Sequence, residues 1–516
     1  MSWQREVDEL NRRAQLAEQM GGEEKVGRQL SRGKLTARER IRRLLDEGSF
    51  QEVGKLAGRG EYDADGALTD FTPANFIAGR GRIDSRPVVV GVDDFTVRGG
   101  AADAAIAGKQ IIAERMAKEL RLPLLRLLDG TGGGGSVKSL DAPGARTYVP
   151  ANPAWDLVVD NLVEVPVVSL LLGPVAGLGA ARAVSSHYSI MVKGLSQLFV
   201  AGPPVVARLG EDLSKEELGG YRIHTRNGAV DDVVESEDEA FGRARRFLSY
   251  LPASVHALPE RTACDDPAQR SSDWLLEAIP RDRRQVFDVR RIVEEICDAG
   301  SVFEIGRFFG RSLMTALVRV NGWPMALMAS DPYHYGGGWS DATSQKAMRF
   351  VELAETFHLP VINLVDNPGF VIGLAAEKAA TIRHGARALA TIYRASVPWC
   401  SVILRKVFGV AGAGHSNHSR LQYRMAWPSG DWGSLPVEGG IEAAYTAELA
   451  DSDDPEALQA KILERLNAVR SPMRTAEAFM VEDIIDPRET RARLCEFAEL
   501  AAPLRTPQPG ALHYRP

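Results

Sequence analysis

The sequence has few cysteines. Its 516 residues include four, which lie far apart and form no C-x-x-C pair. Paired cysteines at that spacing are typical of structural zinc sites and of redox dithiols, so the pattern favours neither. We therefore expect reduced thiols in a cytoplasmic protein, with no metal ion bound to this chain.

The sequence also lacks a long apolar run and a strong excess of one charge. The longest uncharged stretch, residues 166–181, is interrupted by Pro174 and three glycines. It is shorter than the roughly 20 apolar residues that a membrane-spanning helix needs. The formal net charge of −6 gives no electrostatic reason to expect nucleic acid or an anionic membrane as a partner. We expect neither, whereas a compact ligand that carries phosphate groups is compatible with this composition.

One sequence pattern occurs twice. Residues 127–135 read LLDGTGGGG and residues 364–373 read LVDNPGFVIG, so in both an apolar strand runs into an aspartate and a glycine turn. Around the two copies, three pairs of residues keep the same spacing of 237 positions: Lys109 and Lys346, Pro123 and Pro360, and Asp129 and Asp366. This repetition predicts a tandem duplication.

The order of the elements within each copy predicts the fold class. Ile112, Met116 and Leu120 recur at helical spacing before Pro123, and the apolar segment LLRLLD follows as a strand. A glycine turn, a helical stretch and a second apolar strand come next, and the second copy repeats this order. Alternating helices and strands favour largely parallel sheets covered on both faces. Each half is therefore predicted to be an α/β domain.

The chain is about twice as long as the size at which single cores begin to split. Pro, Asp, Ser and Arg replace the apolar periodicity over residues 258–274, which predicts a boundary there. We expect an N-terminal domain of residues 1–257 and a C-terminal domain of residues 258–516. The first 45 residues, rich in Arg, Glu and Leu, are predicted to form a helical arm.

The glycine turns are the strongest candidates for a functional site. A glycine turn that leads into a helix directs several backbone N–H groups at one point, which suits an anion or a developing oxyanion. Tight turns at strand ends would use the same residues, but their repetition at the same place in both halves favours the functional interpretation. The candidate donors are Gly132, Gly133, Gly134 and Gly177 in the first half, and Gly369, Gly409, Val410 and Ala411 in the second.

Several segments of the sequence resemble a known family. The chain is similar to the β (carboxyltransferase) subunits of biotin-dependent acyl-CoA carboxylases, which include the propionyl-CoA and methylcrotonyl-CoA carboxylases. The resemblance extends over nearly the whole chain. The matching segments are RGKLTARERIRRLLDEGSF, EELGGYRIHTRNGAVDDVV, LVDNPGF, TIRHGARALATIYRASVP and AWPSGDWGSLPVEGGIEAAY.

The resemblance implies a fold and a reaction. The fold would be two crotonase-like (ββα-superhelix) domains, with acyl-CoA bound mainly by the N-terminal half and carboxybiotin by the C-terminal half of a partner subunit. The carboxyl group would move from carboxybiotin to the α carbon, or the vinylogous γ carbon, of an acyl-CoA. The biotin would be carried by a biotin carboxylase or biotin carrier subunit, and the chain would form a homohexamer, a trimer of dimers.

The resemblance also implies roles for individual residues. The thioester enolate would be stabilised by Gly132, Gly133 and Gly134, and the ureido oxygen of biotin by the amides of Val410 and Ala411. Biotin itself, after losing CO2, would remove the α-proton, so no side-chain nucleophile is required. The substrate contacts implied are Ala176, Gly177, Gly369, Phe370, Gly409, Gly412 and Ala413.

The sequence departs from the family pattern at two turns. DGTGGGGSVK replaces a serine-glycine-glycine-alanine-arginine turn, and GVAGA replaces glycine-glycine-alanine-tyrosine-aspartate. Gly412 and Ala413 thereby stand where relatives have tyrosine and aspartate at the acyl end of the pocket. We expect a substrate that is bulkier or more apolar than propionyl-CoA.

Other functions remain open at this point. A biotin-dependent decarboxylase would use the same half-reaction in reverse, and a catalytically silent assembly paralogue would explain the altered glycine turn. A serine hydrolase at Ser416 is disfavoured, because GHSNH is not a G-x-S-x-G motif. His415 and His418 are interpreted as pocket or surface groups rather than as metal ligands.

Overall fold

The chain forms two compact units in a computed structural model that describes residues 2–100, 106–130, 146–147, 149, 152, 154–467 and 469–516. One unit comprises residues 1–257 with residues 515–516, and the other comprises residues 258–514. No helix in these described ranges is long and apolar enough to cross a membrane.

The first unit begins with three helices, the last of which starts at a capping box formed by Thr36 and Glu39. Its helices are α1 (Gln4–Glu18), α2 (Glu23–Leu30), α3 (Ala37–Leu44), α4 (Ala107–Leu120), α5 (Trp155–Asn161), α6 (Leu178–Val184), α7 (Pro203–Val206), α8 (Lys215–Gly219), α9 (Tyr221–His224) and α10 (Glu237–Ser249). Its strands are β1 (Gln51–Val53), β2 (Gly58–Tyr62), β3 (Leu68–Pro73), β4 (Phe76–Ile83), β5 (Arg86–Asp93), β6 (Leu124–Gly130), β7 (Val167–Ala176), β8 (Tyr188–Val192), β9 (Gln197–Phe199) and β10 (Asp232–Val234).

The main sheet of the first unit has the strand order β1-β4-β5-β6-β7-β8-β10, and β9 also pairs with β7. Strands β5 to β8 are parallel, whereas β4 pairs with β1 and β5 in antiparallel fashion. Every residue of β6 is buried, as expected for a central parallel strand covered on both faces. Strands β2 and β3 form a separate hairpin.

The second unit repeats the order of elements in the main sheet. Its helices are α11 (Val289–Ile296), α12 (Asp341–Thr356), α13 (Leu374–Lys378), α14 (Thr381–Arg394), α15 (Gly409–Ala413), α16 (Val437–Ala444), α17 (Thr446–Ala450), α18 (Pro455–Asn467), α19 (Pro472–Glu477) and α20 (Thr490–Ala501). Its strands are β11 (Phe303–Ile305), β12 (Leu313–Val320), β13 (Trp323–Ser330), β14 (Val361–Asn367), β15 (Trp399–Phe408), β16 (Tyr423–Ala426), β17 (Asp431–Gly433) and β18 (Asp483–Ile484).

The topology confirms the predicted duplication and α/β class. The second sheet has the order β11-β12-β13-β14-β15-β16-β18, with β17 paired to β15, which matches the first sheet strand for strand. Even an irregularity is repeated, because the pairing register shifts between Leu128 and Gly130 in one sheet and between Val365 and Asn367 in the other. The residues inside the two irregularities are Asp129 and Asp366, the aspartates of the repeated sequence pattern.

Candidate functional site

The turn after β15 contains three of the four donors predicted for the second half, Gly409, Val410 and Ala411. Gly409 opens α15 with a φ of +60°, a left-handed conformation that favours glycine. The amides of the first helical turn, including those of Val410 and Ala411, have no acceptor within the helix. Gly412 packs tightly on the preceding strand, since an added Cβ would lie 2.9 Å from the carbonyl carbon of Val407. A short helix with a left-handed glycine at its start therefore follows the buried strand β15.

Asn367 connects this turn to the segment that follows β14. Its Nδ2 donates to the carbonyl oxygen of Ala411 at 3.0 Å, and its Oδ1 accepts from the amide of Gly369 at 2.9 Å. Gly369 has a φ of +124°. The aromatic ring of Phe370 lies against Gly385 of α14, where an added Cβ would be 2.2 Å from the ring. The structure thus brings the predicted residues 369–370 and 411 together through an asparagine that the sequence interpretation did not single out.

Asp366 is fully buried at the base of this turn. Arg405 of β15 donates to both of its carboxylate oxygens, from Nε at 3.1 Å and from Nη2 at 2.8 Å. The amide of Lys406 donates to Oδ1 at 2.9 Å, so the carboxylate also orients the backbone of β15. The only hint of this ion pair in the sequence was an arginine within the otherwise apolar strand WCSVILR.

Asp129, the equivalent residue of the first unit, obtains its cations from elsewhere. Lys34 Nζ lies 2.6 Å from Oδ1 and Arg40 Nη1 lies 2.9 Å from Oδ2. Position 173, which corresponds to 405, is a glycine whose added Cβ would lie 2.0 Å from Asp129 Oδ1. The two copies therefore neutralise the equivalent buried carboxylate with cations from different parts of the chain. In the first unit both cations, Lys34 and Arg40, come from the segment RGKLTARER.

The first unit also has a glycine turn after its long parallel strand. Ala176 ends β7, and Gly177 precedes α6 with a φ of +58° and donates its amide to the carbonyl oxygen of Phe199 at 3.3 Å. Close by in the fold, Gly130 ends β6 and approaches Gly100, whose added Cβ would lie 3.1 Å from the Gly130 Cα. The predicted donors at positions 132–134 lie outside the described residues.

A basic cavity of about 250 Å³ lies beside the turn at Gly99. Among the described residues no acidic side chain lines it, and Lys34 Nζ lies 4.7 Å above the ring of Phe95 at its edge. Clustered guanidinium and ammonium groups are suited to phosphate. The cationic residues that line it are Lys25, Arg28, Arg32, Lys34 and Arg98. From the sequence, Lys25 to Lys34 are predicted to lie in a helical arm, part of which carries the family resemblance, and no phosphate site is predicted there.

Asp93 is a further buried carboxyl group near Asp129, and the sequence did not indicate it. Asp93 is the last residue of β5, and its Oδ2 accepts the amide of Asp129 at 3.1 Å. Burial raises the pKa of Asp93 to about 6, although that hydrogen bond and Arg182 act in the opposite direction. Nothing in the sequence around Asp93 indicates that its pKa is raised.

The two histidines after α15 are both bonded to the backbone of that helix. His415 Nδ1 lies 2.9 Å from the carbonyl oxygen of Gly412, and His418 Nε2 lies 2.7 Å from that of Ala413. Ser416 Oγ donates to Gln422 rather than to a histidine. Within the part of the chain that the structure describes, no three His, Cys, Asp or Glu side chains are grouped as metal ligands.

Comparison with known proteins identifies the family. The carboxyl transferase domain model matches residues 28–513. The carboxyltransferase subunit of propionyl-CoA carboxylase from Haloferax mediterranei is 30% identical over 517 residues, which cover 99% of each chain.

Two solved structures are similar along most of the chain. The transcarboxylase 12S hexamer, with methylmalonyl-CoA and methylmalonic acid bound, has a TM-score of 0.87 and 31% identity over 99% of this chain and 97% of that one. A single-chain, multi-domain long-chain acyl-CoA carboxylase has a TM-score of 0.79 and 27% identity over 95% of this chain and 50% of that one. The chain belongs to the carboxyl transferase family, as a biotin-dependent acyl-CoA carboxyltransferase.

Proposed function

We propose that the chain moves a carboxyl group from carboxybiotin, carried by a partner subunit, to the α carbon (or the vinylogous γ carbon) of an acyl-CoA. The observation that supports this most strongly is the duplicated turn. In both units a buried parallel strand, β7 or β15, ends in a left-handed glycine and a short helix. Two oxygens acquire negative charge in this reaction, one on the thioester and one on the ureido group, and two such turns can stabilise both.

The residues of the two turns have different roles in this proposal. The amides of Val410 and Ala411 stabilise the ureido oxygen, and Asn367 holds their turn in place by its bond to the carbonyl oxygen of Ala411. Glycines of the segment 132–134 stabilise the thioester oxygen, whereas Gly177 shapes its turn, because its amide is bonded to the carbonyl oxygen of Phe199. Carboxybiotin supplies the carboxyl group and, after giving it up, the base for the α-proton.

Removing one amide tests the second turn. The Val410 side chain is 58% exposed, so Val410→Pro deletes the N–H with little loss of packing, and proline is tolerated in a first helical turn. Loss of one oxyanion donor typically lowers kcat by about 100- to 1,000-fold. Val410→Ala keeps the amide and is the matched control. If Val410→Pro stays within threefold of Val410→Ala, the assigned role of this turn is wrong.

The basic cavity supports binding of the coenzyme A phosphates by the first unit. It combines five cationic side chains, of which Lys34 is already paired with Asp129, and no acid among the described residues lines it, so it suits the diphosphate or the ribose phosphate of CoA. Arg32→Gln is expected to raise KM for the acyl-CoA and to leave kcat nearly unchanged. Arg307→Gln, which changes an arginine with a 61% exposed side chain in the other unit, is the control. An unchanged KM in Arg32→Gln would remove this cavity from the CoA site.

The acyl group in this proposal is larger or more apolar than propionyl. Ala413 lines a cavity of about 400 Å³, whereas Gly412 faces the backbone of Val407 and does not line it. The small side chain at position 413 is therefore the feature that supports the larger substrate. In a chain-length series, kcat/KM should rise beyond three carbons. A steady fall beyond three carbons would contradict it.

The partner and assembly are proposed from the relatives. The transcarboxylase 12S core is a hexamer. By analogy the chain forms a hexamer built from dimers and works with a biotin carboxylase or biotin carrier subunit. Sedimentation velocity tests the assembly, and a species smaller than six chains at micromolar concentration would contradict it. Co-purification with a biotinylated carboxylase subunit, rather than with a membrane decarboxylase complex, distinguishes carboxylation from the reverse direction.

A further inference from the structure

A cavity of about 400 Å³ lies beneath α15 in the second unit. This volume falls within the range of about 300–1,000 Å³ typical of small-molecule sites. The cavity extends from Gly409, at the start of the turn, to the loop after α15. Most of its wall is apolar and is formed by Ile403, Val407, Trp432, Met480 and Val481.

Besides His418, whose Nε2 is bonded to the carbonyl oxygen of Ala413, two polar side chains of this wall are already paired. Arg424 donates to both carboxylate oxygens of Glu482, at 2.7 and 3.0 Å. The hydroxyl of Thr475 accepts from Trp432 Nε1 at 3.0 Å. Neither group needs a ligand in order to satisfy a buried hydrogen-bonding atom.

His415 differs from them. The residue is 4% exposed, and its Nε2 is buried without a hydrogen-bond partner among the described residues. Since Nδ1 lies 2.9 Å from the carbonyl oxygen of Gly412, Nδ1 must carry the proton and Nε2 is an acceptor. Burial lowers the pKa of His415 to about 4, which keeps the ring neutral at physiological pH. A buried acceptor left unpaired is unfavourable, so this atom favours a ligand that brings a donor.

The first unit has a corresponding apolar cluster around the end of β7. It includes Leu171, Val175, Ala180, Ala183 and Leu198, and Leu171 and Val175 correspond to Ile403 and Val407 of the cavity wall. The helix after the strand is also longer, because α6 continues for seven residues and α15 for five. The cavity itself is next to the turn that opens with Gly409.

We propose that this cavity binds the acyl group of the thioester, and that this acyl group carries an O–H or N–H donor that His415 Nε2 accepts. The inference rests on the proposed function, because it takes the turn at Gly409 as the place of carboxyl transfer. Gly409 and Ala413 both line the cavity, so an acyl chain at the turn reaches it directly. The apolar wall accepts the methylene groups, and His415 selects the polar end.

Equilibrium binding to the intact protein tests the selection without any turnover. Acyl-CoAs of four, six and eight carbons, each with and without a terminal hydroxyl group, are titrated by calorimetry. At one chain length the hydroxylated member should bind about tenfold more tightly, as expected for one satisfied buried acceptor. Equal affinities within each pair, at every length, would overturn the inference.

Three variants locate the effect. His415→Phe keeps a ring and removes the acceptor, so the preference for the hydroxylated member should disappear. Ala413→Leu narrows the cavity without changing His415, and should weaken the longest acyl-CoA relative to the shortest. His224→Phe is the matched control, since His224 is also bonded to a backbone carbonyl through Nε2 and has a buried Nδ1 without a partner, but lies in the first unit. A preference that survives in His415→Phe would contradict the assignment.

The same donor chemistry could come from the ureido N–H of biotin. Titration of free biotin separates the two sources, because His415→Phe should leave biotin affinity unchanged if the acyl group is the ligand. A loss of biotin affinity with unchanged acyl preference would overturn the acyl assignment. If carboxylated acyl-CoAs lose their carboxyl group in the presence of biotin but the pairs bind equally, this inference fails while the proposed function stands.

Discussion

Glu114 offers the sharpest test of how the first unit holds its glycine turn. It is 1% exposed, and Arg126 donates to both of its oxygens, at 2.8 and 2.9 Å. Arg182 of α6 donates to Oε1 at 2.9 Å, and Asn161 to Oε2 at 2.9 Å. This network joins α4 and β6 to the helix that follows Gly177. Glu114→Gln is expected to leave two arginines without their carboxylate and to loosen α6.

The magnitude follows from the ionisation of Glu114. Burial alone would raise its pKa, but the two guanidinium groups outweigh it and lower the pKa from 4.5 to about 2. That shift corresponds to about 3 kcal/mol of stability at neutral pH. Breaking a buried pair typically costs about 3–5 kcal/mol, which for a unit of this size lowers Tm by about 10 °C.

The pH dependence has a definite sign. Because the folded pKa is lowered, the stabilisation by Glu114 is complete above 4.5 and is lost as pH falls towards 2. Calorimetric Tm values of wild type and Glu114→Gln should differ by a constant amount from pH 6 to pH 8, and by less at pH 4. Glu119→Gln, on the exposed face of the same helix, is the control. If Glu114→Gln is as stable as Glu119→Gln at pH 7.5, the reasoning is refuted.

Three further changes test other parts of the structure. Arg405→Met should lower Tm by about 10 °C because it leaves the buried carboxylate of Asp366 without its cation, and Arg405→Lys should restore part of the loss. Equal Tm values for wild type and Arg405→Met would contradict this. Asp93→Asn should raise the free energy of unfolding by up to about 3 kcal/mol at pH 8 and not at pH 4. The raised pKa of about 6 means that the Asp93 carboxyl group disfavours folding only at a pH where it ionises. An equally large increase in the free energy of unfolding at pH 4 would refute this. Gly412→Ala should reduce kcat for carboxyl transfer about tenfold or more, because the new Cβ would press on the backbone of Val407 and displace the turn. An unchanged kcat would contradict this.

The fold was largely predictable because a duplication leaves a regular trace. A constant spacing of 237 positions between Lys109 and Lys346, and between Asp129 and Asp366, indicated equivalent places in two copies. Apolar strands bounded by proline and glycine then predicted buried parallel strands, and the structure confirms them. Spacing is visible in a sequence because each copy keeps the same element lengths.

The partners of the buried charges were not predictable in the same way. Asp129 is bonded to Lys34, 95 residues earlier in the chain, and Asp366 to Arg405, 39 residues later. No local pattern links residues at such distances, and the two copies use different cations. His415 was interpreted as a pocket or surface group, and its unpaired Nε2 depends on packing that no sequence pattern reports. The altered glycine loop at 132–134 stays a prediction.

The most direct test of the central claim is the partner-free reverse reaction. Purified protein is incubated with free biotin and a panel of carboxylated acyl-CoAs, and the CoA products are separated by chromatography. We predict loss of the carboxyl group that depends on biotin, with the favoured acyl group larger than propionyl. Failure to decarboxylate any thioester, in protein shown to bind acyl-CoA and biotin, would contradict it.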